Sequence, residues 1–124
     1  MGTICFVILN YKTWREAAAC AESILKTQQG QDIRIVLVDN GSGNGSEESL
    51  REEFAGEKRV HVIASEKNLG FARGNNLGIR YARSHFEPDF IVAANSDIIF
   101  EQEDYCEKLW EIYKEERSEE RRVG

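Results

Sequence analysis

Apolar runs and amphipathic stretches alternate along these 124 residues, and that alternation constrains the fold more than any single motif. Residues 4–9 are six consecutive apolar side chains, the pattern of a strand buried on both faces. After Asn10-Tyr11-Lys12, Thr13 and Glu16 stand at capping-box spacing. Trp14, Ala17, Ala18, Ala21, Ile24 and Leu25 then repeat at helical intervals until Gln28-Gln29-Gly30. Residues 33–38 predict a second strand, which runs into Asp39-Asn40 and a glycine-rich loop over 41–45 that reads as a flexible connection. Ser46 is expected to cap a short helix ending near Phe54. Residues 60–63 predict a third strand, and a polar loop over 64–68 leads through Gly70 to a helix around 76–84, broken by Glu87-Pro88. Residues 90–94 predict a fourth strand, ending in Asn95-Ser96-Asp97. A last helix is expected over 102–116, with Tyr105, Leu109 and Ile112 on one face. This order predicts an α/β domain over residues 1–116: a mostly parallel sheet with right-handed crossovers and helices on both faces. Residues 117–124 read as a frayed tail or a truncation scar.

Composition removes several function classes. The chain is 41% apolar and 31% charged, enough to bury a core and too apolar for disorder. Of the net charge of −6, residues 101–124 carry −4, so the main body is almost neutral and offers no nucleic-acid-binding face. The longest apolar run is six residues, too short to span a membrane. No charged n-region precedes it, and Phe6 stands where myristoylation needs Ser or Thr. Cys5, Cys20 and Cys106 spell neither a metal knuckle nor a redox pair, and read as three reduced thiols of a cytosolic protein.

In an open parallel sheet, ligands bind outside the carboxyl ends of the strands. Here those ends carry Asn10-Tyr11, Asp39-Asn40, the Glu66–Asn68 loop and Asn95-Ser96-Asp97. Each alone reads equally as a turn or cap, but four on one edge point to a small-molecule site. Dinucleotide binding would need glycines in the first turn, and a P-loop needs Gly-Lys-Ser/Thr; neither is present. Asp39 can accept from a ring N–H or a ribose hydroxyl, or make an Asx turn before Gly41. Asp97 can take one vertex of a divalent cation, since Mg²⁺ needs only one or two carboxylates when phosphates supply the rest.

VILNYKTW, VDNGS, NLGFARGNN and ANSDIIF, in that order and spacing, resemble the family 2 glycosyltransferases with the Rossmann-like GT-A fold, most closely their rhamnosyltransferase-like branch. The resemblance covers residues 3–112 and implies the N-terminal donor-binding half of such an enzyme. It implies that Asn10 and Tyr11 line the base pocket and that Asp39 reads a uracil or thymine. The third segment, with Asn68, Gly70, Arg73 and Asn76, would close over the nucleotide sugar. Asn95, Ser96 and Asp97 stand where the family has Asp-x-Asp, so Asp97 becomes the residue for Mg²⁺ or Mn²⁺. Asn95 brings no charge, and Arg73 falls two positions earlier than the family's usual arginine. As a plain structural residue, Arg73 would be a solvated helix-start side chain, and Phe71 a packing residue.

The chemistry implied is inverting transfer of a sugar from a dTDP- or UDP-linked donor to a hydroxyl of a glycan or lipid-linked acceptor. A metal neutralises the leaving diphosphate, and a general base serves the acceptor. The family's base would lie beyond residue 124; Glu101, Glu103 and Asp104 read instead as helix N-terminal acids. The expected setting is the cytoplasm, at the inner face of the cell membrane, in cell-envelope glycan assembly. A chain stopping here would leave a sheet edge open, with self-association expected. Three other readings compete. A receiver-like module would want acids at the first strand end, and a nucleotidyltransferase a glycine-rich basic loop there; both are absent. A non-catalytic nucleotide-binding or interaction domain differs only in the missing half.

Overall fold

The computed structural model describes the backbone of residues 2–123 and the side chains of residues 2–116. Four strands, β1 (Ile4–Asn10), β2 (Ile33–Asn40), β3 (Val60–Ser65) and β4 (Phe90–Ala94), alternate with α1 (Trp14–Thr27), α2 (Ser46–Glu53), α3 (Phe71–Phe86) and α4 (Tyr105–Val123). All strand pairs are parallel, in the order β3-β2-β1-β4. The chain thus builds outward from β1 through β2 to β3, then crosses back by α3 to place β4 on the other side of β1. That reversal makes the carboxyl end of the β1–β4 seam a topological switch point, where α/β sheets open a crevice.

The two faces follow from strand alternation. Ile4, Phe6 and Ile8 of β1, with Ile33, Ile35 and Leu37 of β2, are buried against α1, α2 and α4. Cys5, Val7, Val36 and Val38 point the other way and are covered by α3 through Ala82. Both central strands are therefore apolar on both sides, as their continuous runs require. Burial of each large side chain contributes about 1.5–3 kcal/mol. Gly74 and Gly78 let α3 come close: a Cβ on Gly78 would lie 2.5 Å from Val7 Cγ1 and 2.8 Å from Val38 Cγ2.

Several local expectations are corrected. Thr13 is the N-cap residue of α1 but makes no side-chain cap bond, because its N–H and hydroxyl turn to Asn10 Oδ1 at 3.2 and 3.5 Å. Ser46 does not cap α2; Gly45 does so at φ 85°, and Ser46 donates its hydroxyl to Asn44 Oδ1 at 2.6 Å. α3 starts at Phe71 instead of residue 76, directly after Gly70 at φ 83°. The buried side of α4 is set by Cys106 and Trp110, with Tyr105, Leu109 and Tyr113 half-buried, whereas Ile112 is exposed. The backbone of α4 is helical from Tyr105 to Val123, past the end expected at residue 116 and into the segment read as a frayed tail, whose side chains lie outside the described residues. No helix among the described residues is long and apolar enough to cross a membrane.

Candidate functional site at the carboxyl rim of the sheet

In the β1–β2 register Asn10 pairs with Asp39, and Ala94 pairs with Ile8 across the β1–β4 seam. The three strand ends are therefore level, and their polar residues share one rim. Asn10 is fully buried and donates from Nδ2 to Asp39 Oδ1 at 3.0 Å. Ser42 donates to the same oxygen at 2.5 Å and accepts from the Lys12 N–H at 2.7 Å. That bond helps hold Lys12 at φ 64°, a left-handed conformation that costs an ordinary residue about 1–2 kcal/mol. Asn44 adds a bond from Nδ2 to the Lys12 carbonyl at 3.4 Å. The 41–45 loop is thus cross-braced to the β1 turn and is not the flexible connection its glycines suggest. Gly41 is obligatory for another reason: a Cβ there would sit 2.2 Å from the Lys67 carbonyl carbon.

Asn40 organises the third segment. Its Oδ1 accepts from Leu69 N–H at 3.0 Å and Ser65 Oγ at 3.3 Å, and its Nδ2 donates to Asn68 Oδ1 at 3.0 Å and the Gly70 carbonyl at 3.2 Å. Asn68 Oδ1 also accepts from Gly70 N–H at 2.8 Å. One buried amide thereby fixes the loop that delivers α3 to the rim.

Two clefts open on this rim. The first, about 380 Å³, lies at the β1–β4 seam and is lined by Tyr11, Glu16, Phe71, Asn95, Ser96 and Asp97. Phe71 is 69% exposed, so it is a cleft residue and not the packing residue expected of it. The second, about 280 Å³, lies at the β2 end, where Asp39 meets the glycine loop, Ser65 and Glu66. Glu47 and Glu48 at the start of α2 make that cleft strongly acidic. Arg73 and Asn76 are exposed on the first turns of α3 and line neither cleft; it is Asn75 that is buried, donating to the Phe71 carbonyl at 3.1 Å. A larger opening of about 580 Å³ between Lys26 and Glu107 involves none of the rim residues.

The segment carrying Asn95 and Asp97 is anchored from below by α1. Cys20 Sγ donates to the Asn95 carbonyl at 3.7 Å. Ser23 Oγ accepts from Phe100 N–H at 2.8 Å while donating to the Cys20 carbonyl at 2.6 Å. Farther along, Gln28 takes the Cys106 N–H at 3.0 Å and donates to the Gln102 carbonyl at 2.7 Å. Burial pushes the Cys20 thiol up to about 11, with the Asp97 charge adding to it, and burial alone does the same for Cys106; Cys5 is pushed up to about 12. All three cysteines are unpaired. Asp97 itself is exposed and makes no hydrogen bond or ion pair among the described residues. Sequence reasoning gave Glu16 and Cys20 no place in the site; Asn40 stood among the strand-end residues and Ser42 in the VDNGS motif, but neither was read as the brace it is.

The family model for glycosyl transferase family 2 matches residues 5–119. The glycosyltransferase GlyG of Streptococcus pneumoniae is 34% identical over 112 residues, covering 90% of this chain and 35% of GlyG. A low-salt glycan biosynthesis hexosyltransferase of Haloferax volcanii is 28% identical over 114 residues, covering 92% of this chain and 34% of that protein. Among solved structures, S. aureus TarS in complex with UDP-GlcNAc superposes with a TM-score of 0.74 at 17% identity, over 91% of this chain and 31% of that one. The mannosyltransferase PcManGT of Pyrobaculum calidifontis, in complex with GDP-Man and Mn²⁺, gives 0.68 at 15% identity, over 83% and 30%. The chain spans about a third of the length of these relatives. The structural likeness establishes the fold as GT-A, and the sequence match establishes that the chain belongs to glycosyl transferase family 2.

Proposed function

We propose that this chain forms the donor-binding part of a glycosyltransferase and holds a nucleoside-diphosphate sugar along the rim of the sheet. The observation that carries the reading is the shared level of two polar groups. The Asn10–Asp39 pair and the Asn95-Ser96-Asp97 turn close the ends of adjacent strands on the two sides of the switch point. The base belongs at Asp39. Both of its intramolecular bonds go to Oδ1, which leaves the second oxygen for a uracil or thymine N–H. The acidic second cleft suits a neutral ring with an N–H to donate and repels phosphate. The diphosphate belongs at the seam, beside Asp97.

A divalent cation fits there by the chemistry of the donors. Asp97 carboxylate and Asn95 amide are hard oxygen ligands, suited to Mg²⁺ or Mn²⁺. No group of three His, Cys, Asp or Glu able to hold a metal occurs among the described residues, so an all-protein cage does not fit, whereas one carboxylate completed by diphosphate oxygens does. When bound, the cation would supply Lewis-acid neutralisation of the departing diphosphate. Asp97 would hold it, Asn10 and Ser42 orient Asp39, and Tyr11 and Phe71 flank the bound donor.

The reading extends to an inverting displacement whose general base lies outside this chain. Its acceptor is a hydroxyl on a glycan or lipid-linked intermediate at the inner face of the membrane. The Gly-Phe-x-x-Gly-Asn-Asn segment supports a dTDP-linked deoxysugar such as rhamnose as the donor. Calorimetry with UDP, dTDP and GDP, each with and without Mn²⁺, tests the binding. UDP or dTDP should bind with Mn²⁺ and weaken markedly without it, and Asp97→Ala should erase that difference. If the folded chain takes up no nucleotide under any of these conditions, the reading fails.

A further inference from the structure

The capping-box spacing assigned Glu16 to the start of α1, but Thr13 makes no side-chain cap bond and Glu16 forms no ion pair among the described residues. Its side chain lines the seam cleft instead, the same cleft that Asp97 lines. Its place there is set by the helix. Glu16, Cys20 and Ser23 stand at i, i+4 and i+7, one stripe of α1. Cys20 holds the Asn95 carbonyl and Ser23 holds the Phe100 N–H, so this stripe docks both ends of the segment that bears Asp97. Glu16 is the next side chain up the same stripe, one turn nearer the rim.

We propose that Glu16 is the second anionic group of the cation pocket, supplying from α1 the charge that Asn95 does not bring from β4. The inference rests on the donor-binding reading above. Two carboxylates lining one cleft suit a cation that keeps several waters and shares its remaining vertices with phosphate oxygens. It also gives α1 a role in the site besides packing, since the helix then sets both the backbone of the Asp97 segment and a second charge in the same cleft. The second carboxylate acts through space or through a metal-bound water, and the pocket tolerates the neutral Asn95 for that reason.

The experiment measures Mn²⁺ uptake by electron paramagnetic resonance, from the loss of the free-ion signal. It uses the full chain, alone and again with UDP. Glu16→Gln should weaken Mn²⁺ binding about five- to tenfold, as expected for removing one charge a few ångströms from a divalent ion in a solvated cleft. Glu16→Asp should recover most of that loss, and the urea midpoint should be nearly unchanged in both. Asp97→Ala should abolish uptake. If Asp97→Ala abolishes uptake while Glu16→Gln binds like the parent, the Glu16 inference is wrong and the donor-site reading stands. If the parent takes up no Mn²⁺ with or without UDP, or Asp97→Ala binds normally, the cation reading and this inference fall together.

Discussion

Replacing Gly78 with alanine tests whether α3 is seated on the sheet as closely as its glycines imply. The added Cβ would meet Val7 Cγ1 at 2.5 Å and Val38 Cγ2 at 2.8 Å, whereas unstrained carbon–carbon contacts lie at about 3.5–4.0 Å. Both valines are fully buried on the two central strands, and β-branching restricts their χ1, so neither rotates aside cheaply. The helix must lift by about 1 Å to restore contact distance. Overpacking of this kind costs about 1–3 kcal/mol, while exchanging Gly for Ala inside a helix returns about 1 kcal/mol. The net loss should be up to about 2 kcal/mol, about 1 kcal/mol at the middle of the range, and each kcal/mol lowers the melting temperature of a chain this size by roughly 3–6 °C. Gly56→Ala is the control. Its Cβ meets nothing within 4 Å and its backbone is outside the left-handed region, so it should gain up to about 1 kcal/mol from a less flexible unfolded chain. Urea denaturation of parent and both variants gives the two free-energy differences. If Gly78→Ala instead gains about the 1 kcal/mol that an unhindered helical exchange returns, while Gly56→Ala behaves as expected, the close seating of α3 is refuted.

Asn40→Ala removes four hydrogen bonds and leaves the Leu69 N–H without its partner. It should cost about 2–4 kcal/mol and expose residues 65–70 to limited proteolysis first; an unchanged cleavage pattern would count against the clamp. His61 is held below its ordinary value of 6.5 by burial first, then by the charges of Arg34 and His85. The folded chain thus binds fewer protons at this site than the unfolded chain. His61 therefore contributes stability that is present above about pH 6.5 and lost as pH falls through the folded value. A nuclear magnetic resonance titration of His61 with a midpoint at or above 6.5 would remove this prediction. The outer edge of β4 pairs with no strand among the described residues, and Ile98 and Ile99 beside it are 42% and 52% exposed. Sedimentation should show concentration-dependent self-association that Ile98→Lys with Ile99→Lys suppresses. A monomer at every concentration contradicts it.

The strands were legible because their constraint is local. Two-sided burial demands an unbroken apolar run, and the expected fourth strand, residues 90–94, is the observed Phe90–Ala94. Helix ends were less legible, because the decisive partner came from elsewhere in the fold. Thr13 and Ser46 have the right chemistry for caps, but Asn10 and Asn44 engage them first. The helix expected around 76–84 already held Gly78, but the role of Gly74 and Gly78 on the buried side of α3 was not legible, because only the spacing between helix and sheet reveals it. On the rim, the topology rule placed Asn10, Asp39 and Asp97 together before any coordinates, since all three follow apolar runs of parallel strands. It could not distinguish polar residues that face a ligand from those that brace the ones that do. Burial together with spare hydrogen-bonding capacity makes that distinction. Asn10, Asp39, Asn40, Ser42 and Asn75 are almost fully enclosed, and each has a hydrogen-bond partner. An unpaired group in any of those places would cost about 1–3 kcal/mol. Such a concentration of satisfied polar atoms makes the rim an expensive place to rearrange. It is therefore the part of the sheet whose geometry the fold specifies most tightly, leaving the second carboxylate oxygen of Asp39 and the exposed side chains of Asp97, Glu16, Tyr11 and Phe71 as the groups the proposed donor would meet.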